Sequence, residues 1–234
     1  MSTSEQGMTG GEGINMNLAG EKMATSKFES YLTAMEGFSD LRFKKSLSAV
    51  APFEKLVVRL KDEIVTIRDE RAQPLQTQGQ YVSAETFKHW LDEGRDMLVL
   101  DTRNDFEVEF GTFDTAEHLN LTSFSEFPEK LKQLPESAKE KTVVTFCTGG
   151  IRCEKAVLVM EQEGFKNVYQ LSDGILKYFE KCNDAHYHGE CFVFDERISV
   201  NGELHETGTK QCQQCFGPVL KNIESCPNCI GEQA

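Results

Sequence analysis

Long apolar runs are missing from these 234 residues. None approaches the ~20 consecutive apolar residues that a membrane-spanning helix needs, which argues against an integral helical membrane protein. The opening residues, Met1-Ser2-Thr3-Ser4-Glu5-Gln6-Gly7, lack the charged-then-apolar layout of a secretion signal. Positive charge is scarce as well. Lys and Arg number 25 against 38 Asp and Glu, a formal net charge of −13. Such a chain repels phosphate overall, so a nucleic-acid partner would need a local basic patch. One stretch qualifies: residues 42–61 carry Arg42, Lys44, Lys45, Lys55, Arg59 and Lys61 against Glu54 alone. It reads either as a solvated face or as a docking surface for an anionic partner. The rest of the composition, 39% hydrophobic and 27% charged, is that of a cytoplasmic globular protein with one large domain or two to three small ones.

Cysteine is the exception to this ordinary composition. There are eight, and they are clustered. Cys147 and Cys153 flank one short motif, Cys182 and Cys191 follow, and Cys212, Cys215, Cys226 and Cys229 crowd the C-terminus. Clustering of this kind points to metal binding and thiol chemistry rather than to a disulfide framework.

Composition divides the chain into segments. Residues 1–68 predict a small α+β domain. Phe28, Tyr31, Leu32 and Met35 recur at helical spacing within residues 27–35, and residues 41–44, 56–60 and 63–67 have the β-branched alternation of strands. Residues 69–80, with Pro74, Gln73, Gln76, Gln78 and Gln80, read as an extended linker. Residues 81–182 alternate helix and strand. Ser83 is placed to N-cap a helix with Phe87, Trp90 and Leu91 on its apolar face and Gly94 near its end. Met97-Leu98-Val99-Leu100 and Thr142-Val143-Val144-Thr145-Phe146 read as buried strands, and Val168-Tyr169 as a third. Helices are expected around residues 126–134, after residue 150 up to Gly164, and over residues 175–179. This alternation implies an α/β fold, a parallel sheet with helices on both faces, whose ligands bind at the carboxyl ends of the strands. Residues 183–234 are too poor in large aliphatic side chains to build much core alone.

Cys147-Thr148-Gly149-Gly150-Ile151-Arg152-Cys153 follows directly on the second of these strands. A cysteine at a strand end, two glycines and a helix start let backbone N–H groups converge on the sulfur and favour a thiolate or a bound anion. Arg152 can fix the loop or pair with an anion. The plain alternative is an inert cysteine beside a turn.

This loop resembles the rhodanese superfamily, whose signature is a catalytic cysteine followed by a short loop and an arginine. Leu100-Asp101-Thr102-Arg103 with Phe106-Glu107 resembles its upstream element, in which Asp101 and Arg103 would support the loop. Phosphatases of the same fold carry one more residue between cysteine and arginine, so the shorter loop suits a sulfur atom. More closely, residues 147–155, Cys-Thr-Gly-Gly-Ile-Arg-Cys-Glu-Lys, resemble the rhodanese-domain tRNA uridine(34) hydroxylases. So do Glu12-Gly13-Ile14-Asn15, Leu18-Ala19-Gly20, Phe43-Lys44-Lys45-Ser46, Pro52-Phe53, Glu63-Ile64-Val65-Thr66 and residues 189–197. The resemblance covers nearly the whole chain. It implies oxygen-dependent 5-hydroxylation of the wobble uridine of tRNA, an oxidoreductase reaction. Cys147 and Arg152 would be catalytic, Thr148, Gly149, Gly150, Ile151 and Cys153 would complete the active loop, and the basic stretch from Arg42 to Lys61 would contact tRNA. The partners implied are tRNA, molecular oxygen and a persulfide or thiol donor. No flavin motif is visible, and the resemblance leaves the means of oxygen activation open. It also implies a ferredoxin-like first domain, expected here to be truncated by its first strand. Only eleven residues precede Glu12, and they read as unstructured.

Cys153 has two readings, as a thiol that resolves an oxidised Cys147 or as a small apolar helix residue. Cys212-x2-Cys215 and Cys226-x2-Cys229 form a zinc pattern, four thiolates closing a structural site. His186-x-His188-x-Glu190 reads as polar linker residues packed beside the loop, with an iron site as the sharper alternative. His89 and His118 read as surface residues, and Cys182 and Cys191 as packing or free thiols. Two other functions compete with hydroxylation. One is a thiosulfate sulfurtransferase or persulfide carrier using the same cysteine, and the other is a non-enzymatic rhodanese and zinc interaction module.

Overall fold

The computed structural model describes residues 4–10, 13–41, 43–45, 52–53, 55, 57–72 and 79–229. Arg42, Glu12, Ser46 and most of the expected linker, residues 73–78, lie outside the described residues. The chain divides into two compact units, residues 1–64 and 65–234.

In the first unit, strands β1 (Ser4–Gly10) and β2 (Gly13–Ala19) pair antiparallel from Ser4↔Ala19 to Gly10↔Gly13. Helix α1 (Lys22–Thr33) follows, then β3 (Val57–Leu60), which lies parallel on the other side of β1. Three expectations are corrected here. Residues 4–10 are a central strand rather than unstructured chain. Their polar, glycine-containing sequence has little strand propensity, and pairing on both edges overrides it. The helix begins at Lys22 rather than near residue 27, and of its expected apolar face only Phe28 and Leu32 are half-buried, while Tyr31 is exposed. Residues 63–67 and the described part of 41–44 form no strand. Ile67 is instead buried in a core cluster of the second unit, and the Val65 carbonyl accepts a 2.7 Å bond from Lys155 Nζ.

In the second unit, Glu70–Ala72 forms a short 310 turn with Ala72 buried, where an extended linker was expected. Arg71 holds it, bonding Asp69 and reaching Glu163 at 2.6 Å. The sheet contains β4 (Gln80–Val82), β5 (Met97–Asp101), β7 (Ala116–His118), β8 (Thr142–Phe146) and β9 (Asn167–Leu171). Their order is β4-β9-β8-β5-β7 and all pairs are parallel. β6 (Gly111–Phe113) lies outside this sheet.

Side chains alternate between the faces of the sheet, so each strand feeds two cores. Leu98, Leu100 and Val143 pack with Phe127 and Leu131 of α4 (Phe127–Leu131) and with Val157 and Met160 of α5 (Ile151–Gln162). Val99, Val144 and Phe146 pack with Phe87 of α2 (Ala84–Asp92) and with Ile175 and Phe179 of α6 (Gly174–Cys182). The short helix α3 (Asp105–Val108) follows β5. Ser83 caps α2, accepting from the Thr86 amide at 3.1 Å, and Gly94 and Gly164 adopt positive φ just past the ends of α2 and α5. The helix expected over 126–134 is shorter than its periodicity suggests, a 310 turn at Phe124–Glu126 followed by α4.

The last segment runs through β10 (Tyr187–Gly189), β11 (Cys191–Phe192), β12 (Ser199–Val200), β13 (Lys210–Gln211) and β14 (Pro218–Val219). β10 pairs antiparallel with β6, and Cys191, Val193 and Val200 are buried with α6 and Phe113. The segment shares the core of the α/β sheet instead of building one of its own.

Candidate active site and cysteine cluster

β8 ends at Phe146, and Cys147 opens the loop that leads into α5. Three sets of bonds fix this loop. The Thr102 amide and hydroxyl both donate to the Phe146 carbonyl, at 3.0 and 2.9 Å. The first amides of α6 reach the loop from the other side, Ile175 to the Cys147 carbonyl at 3.0 Å and Leu176 to the Thr148 carbonyl at 3.2 Å. The Thr148 hydroxyl donates to the Phe192 carbonyl at 3.4 Å, tying the loop to the C-terminal segment. Glycine is required twice. Gly150, with φ of 88°, is the N-cap of α5 and turns its amide onto Cys147 Sγ at 3.1 Å. Gly174 has φ of 69°, and a Cβ there would overlap the carbonyl oxygens of Cys147 and Thr148.

The surroundings of Cys147 favour its thiolate. The neighbouring Cys153 thiol favours its charged form, Arg152 places a positive charge beside it, and the amides of Arg152 and Gly150 point at the sulfur. Burial opposes them and loses, so the Cys147 thiol is held at about 6. Cys153 goes the other way: burial, then the adjacent Cys147, push it well above the usual thiol value. The two thiols are thus shifted in opposite directions, with Thr102 Oγ1 3.7 Å from Cys153 Sγ. Cys153 therefore acts on the ionisation of Cys147, a role beyond either of its sequence readings.

Arg152 is itself paired. Its two terminal nitrogens donate to the two carboxylate oxygens of Glu107, at 2.7 and 2.8 Å, and Glu107 is fully buried. The Asn104 amide adds a 3.1 Å bond to Glu107 Oε2, which closes a capping box at the start of α3. Beneath this pair lies a second. Arg103 bonds Asp101 through Nε and Nη2, the latter at 2.6 Å, with both side chains wholly buried. The Gly111 carbonyl also accepts from Arg103 Nη2, Thr112 donates to Asp101, and Arg103 Nη1 reaches the Glu107 carbonyl and the Tyr187 hydroxyl. Arg103 and Asp101 brace the end of β5, the structural place the resemblance implies for them. The partnership of Glu107 with Arg152 was not legible in the sequence, although Glu107 stands in the matching upstream element.

An aromatic group borders this loop and also escaped the sequence. Phe192 packs edge-on against Phe106, Phe110 and Phe194, with ring centroids 5.2, 5.2 and 5.0 Å apart. Phe216 lies 6.3 Å from Phe106, and the Arg152 guanidinium carbon sits 5.8 Å from the Phe194 centroid.

The four terminal cysteines converge as their spacing predicts. The sulfurs of Cys212, Cys215, Cys226 and Cys229 all lie within 4.8 Å of one another, with Cys212–Cys229 at 3.9 Å and Cys215–Cys226 at 3.5 Å. A tetrahedron with ~2.3 Å metal–sulfur bonds has edges of ~3.8 Å, so the set fits a single ion. The Cys215 and Gln214 amides point at Cys212 and draw its thiol down to about 6, the ionised form a metal requires. Asn228 donates to Glu109 at 3.0 Å, linking the cluster to the residue after α3.

The other candidates do not assemble into sites. His186 bonds Asp92 at 2.6 Å and His188 bonds Asp114 at 3.1 Å, while Glu190 accepts from the hydroxyls of Ser199, Thr207 and Thr209. A positive φ at His186 breaks the extended run that would have put the three on one face, so the iron alternative is corrected. Cys191 is a buried packing thiol pushed up to about 12 by burial, and Cys182 is half-buried beside the same core. In the first unit Lys44, Lys45, Lys55, Arg59 and Lys61 are exposed, with Lys45 paired to Glu29 at 2.7 Å. No described helix is long and apolar enough to cross a membrane.

Comparison with known proteins agrees with this geometry. Residues 8–64 match the family model described as UPF0176 acylphosphatase like domain, and residues 83–181 match the rhodanese-like domain. A solved rhodanese-like domain from Anabaena sp. is 18% identical, covering 48% of this chain and 80% of its own, with a TM-score of 0.40. A tRNA uridine(34) hydroxylase from Paraburkholderia phytofirmans is 48% identical over 225 residues, 92% of this chain and 78% of that protein. One from Cupriavidus pinatubonensis is 45% identical over 234 residues, 94% of this chain and 83% of that protein. At this identity and coverage, the chain belongs to the tRNA uridine(34) hydroxylase family.

Proposed function

We propose that this protein is an oxidoreductase that hydroxylates C5 of the wobble uridine of tRNA in the cytoplasm, using molecular oxygen and Cys147. The observation that carries this reading is the Cys147 loop at the carboxyl end of β8, where the Gly150 amide donates to Sγ at 3.1 Å, in a chain 48% identical to a relative of that name. A thiol lowered by such surroundings carries more thiolate at neutral pH than an ordinary cysteine. Arg152, neutralised by Glu107, orients the loop and supports the thiolate's charge. Thr148, Gly149, Gly150 and Ile151 shape the loop, and Cys153 favours the charged form of the sulfur.

Replacing C5–H by C5–OH with dioxygen consumes two electrons and two protons and releases one water. Two thiols of a donor, oxidised to a disulfide, balance the reaction. The exposed cations of the first unit, Lys44, Lys45, Lys55, Arg59 and Lys61, together with Arg42, are the proposed phosphate contacts for tRNA. Zn²⁺ is the proposed occupant of the four-cysteine cluster, since four thiolates in tetrahedral spacing suit it and leave no open position for catalysis.

Nucleoside mass spectrometry tests the reading. In cells lacking the endogenous activity, the native chain restores 5-hydroxyuridine derivatives in tRNA and the Cys147→Ser variant does not. If neither restores them, or both do, the proposal fails.

A further inference from the structure

Three phenylalanines are exposed among the described residues, Phe43, Phe194 and Phe216, and two of them belong to the group beside the active loop. Phe194 is 59% exposed and Phe216 53%, values at which a large apolar ring gains little from folding. Both rings are nevertheless held. Phe194 stands on Phe192, whose carbonyl accepts from Thr148 of the loop, and its face lies by Arg152. Phe216 leans on Phe106, one residue before Glu107, and its backbone amide is bonded to the Cys212 carbonyl within the cysteine cluster. The result is an exposed aromatic surface built from three separate stretches of chain and bordering the Cys147 loop through Thr148 and Arg152.

The charge around this surface limits what it can bind. Arg152, the cation beside Phe194, already has both terminal nitrogens on Glu107, and the chain as a whole carries −13. A phosphate gains little here. An uncharged, flat ring gains from the π-face, and an anticodon base must leave its stack before an atom of its ring can reach a buried sulfur. We infer that Phe194 and Phe216 form the stacking surface for the substrate RNA, Phe194 taking the target uracil ring beside Cys147 and Phe216 the adjoining base. This rests on the hydroxylase reading and names the residues that would present the base to it.

The test uses the full chain in two measurements. In the first, the Phe194→Trp variant is titrated with an anticodon stem-loop RNA carrying uridine at the wobble position, after subtracting the emission of the native chain with its single tryptophan, Trp90. Saturable quenching is expected, at least tenfold weaker with the same RNA abasic at that nucleotide. Equal quenching by both RNAs, or none, overturns the inference. In the second, Phe194→Leu is expected to raise KM for tRNA roughly 10- to 100-fold, the usual effect of losing one stacked base, with Phe194→Tyr restoring it and the melting temperature unchanged. Unaltered KM in Phe194→Leu overturns the inference while leaving the hydroxylase reading intact. Base-dependent quenching in a chain that forms no 5-hydroxyuridine would instead overturn the activity and leave the stacking surface standing.

Discussion

Arg152 donates both terminal nitrogens to Glu107, at 2.7 and 2.8 Å, and the same cation faces the Cys147 sulfur. Two anions, one carboxylate and one thiolate, therefore share one positive charge. Removing either member of the Arg152–Glu107 pair should move the thiol in a direction fixed by Coulomb's law. Glu107→Gln leaves all of the cation to the sulfur and lowers the Cys147 pKa further below about 6, whereas Arg152→Met removes the cation and raises it. Glu107→Gln also strands a nearly buried charge, for about 3 kcal/mol of lost stability. Thiolate absorbance near 240 nm against pH, with a denaturant melt, measures both. Shifts of the same sign in the two variants would contradict this arrangement.

The Cys147 thiol is depressed, so its reactive form grows as pH rises through about 6 and is nearly complete by neutral pH. Iodoacetamide should label Cys147 with an inflection near that value, while buried Cys191, pushed up to about 12, stays unlabelled. Cys153→Ala removes the neighbouring thiol and should move the inflection upward. Cys153→Ser keeps a donor and should hold it near the native position. Mass-mapped labelling rates from pH 4.5 to 9 make the comparison, and an unmoved inflection in Cys153→Ala would remove Cys153 from the site's electrostatics.

Gly174 contributes no side chain to the site, yet its substitution should damage the loop. Its φ of 69° disfavours any Cβ, and that Cβ would overlap the Cys147 and Thr148 carbonyls. Gly174→Ala is expected to destabilise the fold by about 2 kcal/mol and to lose the low thiol inflection, because the amides of Ile175 and Leu176 are pushed off those carbonyls. Gly94→Ala is the control. It too has positive φ, 62°, but nothing lies within 4 Å of its Cβ, so it should carry the backbone strain alone and leave the inflection unchanged.

The four-cysteine cluster should hold one Zn²⁺ per chain, measured by elemental analysis of protein purified without added metal. Cys226→Ser should lose the ion. Because Asn228 bonds Glu109 and Phe216 packs on Phe106, amide hydrogen exchange over residues 105–110 should also rise in that variant. A metal-free native chain, or exchange confined to residues 205–229, would separate the cluster from the active site.

Much of this molecule is written locally. Thr142-Val143-Val144-Thr145-Phe146 is an unbroken apolar and β-branched run because its strand is buried on both faces, and its ends match β8. Ser83 announces α2 through a hydroxyl that must meet an amide three residues on. The paired Cys-x2-Cys motifs and the glycine-bearing loop after Phe146 are equally local, since both concern groups within a few bonds of one another. Chemistry confined to one short segment can be read from that segment.

The rest depends on partners distant in the chain. Ser4–Gly10 lacks the pattern of a strand and becomes one because β2 and β3 flank it. Residues 63–67 have that pattern and remain irregular, with Ile67 drawn into a core of the second unit and Val65 bonded to Lys155. Glu107 meets Arg152 across 45 residues, and Phe216 meets Phe106 across more than a hundred. The ionisation of Cys147 follows from that assembly: a charge, a neighbouring thiol and two amides outweigh its burial only once the fold has set them around it. Periodicity and motif spacing encode neighbours along the chain, whereas electrostatics and packing act through space, so the loop amides and Arg152 around Cys147 were legible in the sequence, and the Glu107 pair and the influence of Cys153 were not.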